Sequence, residues 1–379
     1  MLQRRAFSGN TRLLATLKSS RPLEPVSIAR TRSIFPNLRQ LSSLPYTSSK
    51  ASISTVQLHG LVDKPGSRIQ SRRYTTPRNY DPNSPRENQT MTLPDGRELG
   101  FAEYGSPTGT PVFYFHGDVG SRIEVVEWDK AAKKNDIRII GVDRPGMGLS
   151  SFQPDRKLLD WPKDVRELAR HLGITEYRII GVSGGGPFVL ACAYAIPQNE
   201  LKAAGVVAGM GLWSYGLRGM RVVPRLTWNL TSWMPGAYGK LLDSLLVPAA
   251  QNPDISETDK LAAKIVKEFR EGDRKYYEQD PYMTTVLRDV LRAGFQQGSK
   301  GLVHDIKIMT RHWGFELKDI SQDKVLFWYG LDDENTTPRV GRLMHKEIRQ
   351  SKLTEYQGTT HFTIMGKHGD KILSELIKA

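Results

Sequence analysis

The run Gly181-Val182-Ser183-Gly184-Gly185-Gly186-Pro187 sets a serine among small residues, a setting in which a hydroxyl can act as a nucleophile. Before it, Arg178-Ile179-Ile180-Gly181-Val182 reads as a buried strand. After it, Pro187-Phe188-Val189-Leu190-Ala191-Cys192-Ala193 opens a helix with proline in its first turn. Strand, sharp turn and helix lift one side chain clear of a sheet, provided that no neighbouring Cβ clashes. Gly181 and Gly185 meet that condition, and the start of the helix favours negative charge nearby. A glycine-rich turn can also cradle phosphate, but the lysine of a phosphate loop and the spacing of a dinucleotide fingerprint are missing. The chemistry indicated is acyl transfer through Ser183. It requires a base to take the hydroxyl proton and an acid to hold that base.

The elements that would position these groups recur along the chain. Short apolar runs fall at 111–115, 137–142, 177–182, 203–207 and 324–329, and helix-like stretches at 122–134, 158–172, 187–196 and 338–350. An Asp95-Gly96 turn between two extended pieces predicts a hairpin ahead of them. Continuous apolar strands alternating with amphipathic helices predict an α/β fold with a mainly parallel central sheet covered on both faces. Sites in such sheets gather at the carboxyl ends of the strands. Residues 210–310 break the alternation. They carry Trp213, Trp228 and Trp233, a Pro235-Gly236 turn, and helical patterns around 257–271 and 281–293, which read as a helical cap inserted between two strands.

The chain has 379 residues and a net charge of +14, a balance that usually points to nucleic acid or another polyanion. Its distribution points elsewhere. Residues 1–80 hold 14 Lys and Arg against Glu24 and Asp63, a net of +12, so the remaining 299 residues carry only +2. Nucleic-acid binding is therefore not expected of residues 81–379. The Arg- and Ser-rich, acid-poor segment 1–80 reads as a disordered leader and a mitochondrial transit peptide, with a processing-like run Ser71-Arg72-Arg73-Tyr74; the alternative is a basic extension with no address on a cytoplasmic protein, and a fluorescent fusion of residues 1–80 separates the two. The longest apolar run, Phe188 to Ile196, spans nine residues, too few to cross a bilayer. The single cysteine, Cys192, lies inside that run and reads as a buried thiol.

Four segments carry a resemblance: Phe113-Tyr114-Phe115-His116-Gly117, Val142-Asp143-Arg144-Pro145-Gly146-Met147-Gly148-Leu149-Ser150, the Ser183 turn, and Trp328-Tyr329-Gly330-Leu331-Asp332-Asp333 followed by His361-Phe362. In this order, over roughly 90–379, they resemble the α/β-hydrolase superfamily, specifically its single-cap fungal and bacterial members. In that fold the chain order is serine, acid, histidine. The resemblance picks Asp333 as the acid, with Asp332 as the competitor one residue away. His361 follows both and stands directly after the strand-like piece 352–357, whereas His345 and His368 fall on helices. Thr360 precedes His361 where the family usually has glycine. Gly184 would supply one oxyanion donor by position, and the resemblance points to the backbone of Asp118 for the other. An aspartate there is unexpected, because a carboxylate facing inward would oppose a developing negative charge.

The resulting expectation is a serine hydrolase that cleaves a carboxylic ester or thioester on a small-molecule substrate, with neither cofactor nor metal. An acyltransferase or a C–C bond hydrolase would use the same triad, and a binding protein could keep the fold without turnover. Epoxide hydrolases and haloalkane dehalogenases place an aspartate where this chain has Ser183. The insertion's aromatic residues (Trp213, Tyr215, Trp228, Trp233, Tyr238) would either receive an apolar group or pack the cap onto the core.

Overall fold

A computed structural model of the chain describes residue 81 and residues 83–379. The leader and its mitochondrial reading lie outside the described residues. Eight strands form one sheet in the order β1-β2-β4-β3-β5-β6-β7-β8: β1 (Gln89–Thr92), β2 (Glu98–Gly105), β3 (Thr110–Phe115), β4 (Ile137–Val142), β5 (Tyr177–Val182), β6 (Leu201–Val207), β7 (Val325–Gly330) and β8 (Ser351–Tyr356). The β1–β2 hairpin turns at Gly96, whose φ of +84° suits glycine, and β2 joins β4 antiparallel. From β4 to β8 every pairing is parallel.

The continuous apolar runs are explained by burial on both faces of the sheet. In β3, Phe113 and Phe115 join one core, with Ile179 and Val206, while Val112 and Tyr114 join the other, with Ile180 and Val207. This alternation follows from the two-residue period of a strand. Full burial of each such side chain contributes about 2 kcal/mol.

The helices are α1 (Asp129–Lys134), α2 (Trp161–His171) and α3 (Gly186–Ala195); then α4 (Val222–Trp233), α5 (Pro235–Leu245), α6 (Val247–Ala250), α7 (Ile255–Lys267), α8 (Glu271–Gln279), α9 (Pro281–Gly294) and α10 (Lys300–Met309); then α11 (Pro338–Glu347) and α12 (Thr363–Lys378). Helices α2, α3 and α11 cover the first core, and α1 and α12 cover the second. Helices α4 to α10 lie between β6 and β7 as a helical insertion.

Two local expectations differ from the structure. The single helix expected over 122–134 is split into a 3-10 helix, Arg122–Trp128, followed by α1. The buried positions 122, 125 and 128, with 123 and 126, repeat every three residues, the period of the tighter helix. Glu124 and Glu127 are thereby brought above one another on its other side. Pro235 is the first residue of α5 rather than a turn residue, because proline's missing N–H costs nothing at a helix start. Trp228 is buried, whereas Trp233 is 81% exposed and packs nothing onto the core.

Candidate active site

Ser183 follows β5 at the start of a short 3-10 turn leading into α3. Its φ is +51°, a conformation that costs a non-glycine residue about 1–3 kcal/mol. The turn is crowded from below. A Cβ at Gly181 would stand 2.6 Å from Val189 Cγ2, and one at Gly185 would run into the Phe115 carbonyl. The loop after β6 is tied to the same turn, with Met210 N donating to Ser183 O at 2.9 Å.

Asp333 and His361 meet across the β7 and β8 loops. His361 Nδ1 lies 2.7 Å from Asp333 Oδ2, and both side chains are buried. The other lone pairs of Asp333 are also engaged. Its Oδ1 accepts from the backbone N–H groups of Asn335 (2.8 Å) and Thr336 (3.0 Å), and its Oδ2 accepts from Thr336 Oγ1 (3.1 Å). Asp332 is exposed and only its backbone is tied down, to Thr359 O. Burial opposes charge on the His361 ring, but the carboxylate of Asp333, with Asp273 and Glu124 further off, outweighs it and holds the imidazole above its ordinary value.

Gly117 and Asp118 approach the serine from the β3 side. A Cβ at Gly117 would lie 3.4 Å from Ser183 Cβ, and one at Gly184 would collide with the Asp118 carboxyl. Arg144, fully buried at the end of β4, holds this loop. Its guanidinium donates to His116 O and to Asp118 Oδ1 (2.6 Å), pairs with Asp305 Oδ2 of α10 (2.6 Å), and lies 4.7 Å from the Phe188 ring centre. Arg156 pairs with the second oxygen of Asp305. Glu124 Oε1 accepts from Gly117 N (2.9 Å) and from Tyr114 Oη (2.5 Å).

Among the described residues, Asp118 Oδ2 is buried without a hydrogen-bond partner. Burial pushes this carboxyl up to about 7, against the pull of Arg144 and with help from the Asp305 and Glu124 charges. The side chain lies against Gly184, the residue expected to supply one oxyanion donor. The carboxyl of Asp118, and not only its backbone, therefore faces Gly184, which differs from the expectation.

Several of these supports carried no signal in the sequence. Arg144 and Tyr114 lie in segments that carry the resemblance, but their residue types alone point to no role. Glu124 and Thr336 lie outside those segments. Asp273 of α8 is 88 residues from the histidine it supports: its Oδ1 accepts from Thr360 Oγ1 (2.6 Å), Phe362 N (2.9 Å) and Thr363 N (3.3 Å). Phe362 stacks on Phe269 at 4.6 Å and meets Tyr277 edge-on. Beside Thr336, a cavity of about 20 Å³ is lined by Met210, Trp213, Met220, Trp228 and Met309, room for about one water. Among the described residues, no group of three or more His, Cys, Asp and Glu could hold a metal ion, and no helix is long and apolar enough to cross a membrane.

Comparison with known proteins bears on the family and the fold. Residues 110–217 match the family described as the alpha/beta hydrolase fold. A proline iminopeptidase of Lactobacillus helveticus is 31% identical over 271 residues, covering 68% of this chain and 85% of that protein. The proline iminopeptidase of Lactobacillus acidophilus is 26% identical over 274 residues, covering 69% and 87%. Among solved structures, a thermophilic esterase from Thermogutta terrifontis superposes with a TM-score of 0.55 at 16% identity, covering 77% of this chain and 98% of that one. A carboxylesterase structure from Nitrososphaera gargenis gives 0.54 at 18% identity, covering 76% and 98%.

Proposed function

The chain belongs to the α/β-hydrolase superfamily, and we propose that it is a serine hydrolase cleaving a carboxylic ester or thioester. In this reading Ser183 Oγ attacks the acyl carbon while His361 takes its proton, and Asp333 holds the imidazole with Nδ1–H toward itself. The tetrahedral oxyanion is held by the backbone N–H groups of Gly184 and Asp118. Collapse expels the alcohol or thiol, which receives the proton from His361. Water then adds to the acyl-enzyme by the same steps in reverse, releasing the acid and restoring Ser183. Helices α4 to α10 act as the cap.

The observation that carries this reading is the buried His361–Asp333 pair at 2.7 Å, reached across strand ends that also present Ser183 in a left-handed backbone conformation. A binding protein has no need of either feature.

The proline iminopeptidase relatives favour a second reading, in which the acyl–nitrogen bond after an N-terminal proline is cleaved by the same acyl-enzyme route. One experiment addresses both. The wild type should label with a fluorophosphonate probe, and Ser183→Ala should not, with turnover falling about 10⁴- to 10⁶-fold. 4-Nitrophenyl esters of graded chain length, set against prolyl-4-nitroanilide, then separate ester from amide cleavage. Equal labelling of Ser183→Ala and wild type sinks the assignment.

A further inference from the structure

The insertion has two unlike faces where α4 and α5 form a helical hairpin through Met234. On the inner side Trp228, Thr231 and Leu242 are buried, and Gly239 packs close to Ser299 and Val303 at the start of α10. The outer side is apolar. Nine large apolar side chains are exposed among the described residues, and seven of them fall within 222–245, including Val222, Val223, Leu226, Trp233, Met234 and Leu245. Single exposed apolar residues are ordinary. Seven on one hairpin form a patch, and patches of that kind mark association surfaces.

Charge selects the partner. Between Trp213 and Leu245 the chain carries Arg218, Arg221, Arg225 and Lys240 against one acid, Asp243. Two of these five are already engaged: Arg221 donates to Glu268 O, and Asp243 accepts from Ser299 N. Arg218 and Arg225 line an open cleft of about 340 Å³ with Trp213, Leu217 and Asn229. Neither guanidinium has an acceptor among the described residues. An apolar ridge flanked by free arginines matches the boundary of a lipid leaflet, where acyl chains meet phosphate.

We propose that the outer face of the α4–α5 hairpin docks on an anionic lipid surface, with Val223, Leu226 and Trp233 entering the acyl boundary and Arg218 and Arg225 pairing with headgroup phosphates. The docked element is the one that carries Tyr238, whose phenol feels the Asp118 charge, so the hairpin stands between lipid and the candidate site. Docking is independent of the chemistry at Ser183.

Trp233 gives a local readout, since the other six tryptophans are buried or half-buried and none lies in residues 1–80. The full chain, as wild type and as Ser183→Ala, is mixed with vesicles of phosphatidylglycerol brominated along its acyl chains. The expected result is a blue shift with quenching, most of which Trp233→Phe removes. The double change Val223→Ser with Leu226→Ser should raise the lipid needed for half-binding about tenfold, and Arg218→Glu with Arg225→Glu should do so by about as much. The basic leader is common to all variants, so it cannot produce these differences. The proposal is overturned by absent quenching, by quenching that Trp233→Phe leaves intact, or by equal quenching on brominated phosphatidylcholine. It is also overturned by a dimer that the double serine variant dissolves while vesicles leave Trp233 unquenched, which assigns the face to a second copy. Quenching that persists in a protein that fails to label with fluorophosphonate leaves docking standing and removes only the hydrolase reading.

Discussion

At Asp333 both carboxyl oxygens are met by donors, from Asn335, Thr336 and His361; at Asp118 one oxygen meets Arg144 and the other has no hydrogen-bond partner among the described residues. Both aspartates follow the carboxyl ends of parallel strands, β3 and β7, and both sit beside groups proposed to act on the substrate. Their surroundings differ in kind. The donors around Asp333 suit a negative charge and orient the ring that shares them. The surroundings of Asp118 work against its charge, since burial and the nearby acids Asp305 and Glu124 outweigh a single arginine. On the proposed mechanism, one carboxyl group would steady a positive charge on the base, while the other would stand beside a developing negative charge. The same residue type therefore serves opposite electrostatic ends, and the lone pairs left over distinguish them.

The comparison breaks most sharply at the base. Asp333→Asn should lower kcat about 10⁴-fold, because an amide no longer selects the required tautomer. Asp332→Asn should change kcat less than twofold, since that side chain points to solvent. Steady-state kinetics on a 4-nitrophenyl ester measures both, and equal losses would return Asp332 to contention.

Next in size is the support beneath Asp118. Asp305→Asn leaves Arg144 and Arg156 buried without their shared counter-charge, and should cost about 3–5 kcal/mol of stability. The urea midpoint reads this directly. A loss below 1 kcal/mol would mean that the network is solvated or dispensable.

The smallest effect sharpens the comparison most. With His361 raised above its ordinary value, kcat/KM should climb as pH rises and the imidazole loses its proton. With Asp118 near 7, it should fall again as this carboxyl ionises beside the oxyanion position. The groups facing Asp118 are Arg144, Asp305, Glu124 and Tyr238 of α5, and the Tyr238 phenol is pushed up to about 12, so it does not titrate in this range. The wild type should therefore show a bell, down about tenfold at pH 8. Asp118→Asn should keep the rising limb and lose the falling one. The sign for stability agrees: a carboxyl raised on folding stabilises the fold below its unfolded value, and that contribution is lost as pH rises from about 4 to 7.

Much of this was legible in the residues. The β3, β5 and β7 runs announced buried parallel strands because both of their faces are covered, and the glycines around Ser183 announced a crowded turn because each lacks room for a Cβ. What stayed hidden is tertiary. The period of three in Arg122–Trp128 passes for an ordinary helix until burial is known. The choice between adjacent acids rests on where the chain turns after Gly330. Thr360, an oddity when read in line, is explained by Asp273, since its hydroxyl donates to that carboxylate. No local pattern links two residues 87 positions apart.

That contact from α8 to the histidine loop couples two events. Any movement that carries α8 outward strips Thr360, Phe362 and Thr363 of their common acceptor and frees the segment holding His361. Opening and alignment of the base then draw on one free energy: whatever favours the open form disfavours the competent imidazole, by an equal amount. On the proposed mechanism, moving α8 away from the histidine loop would therefore lower the reactivity of Ser183, although the serine itself would stay in place.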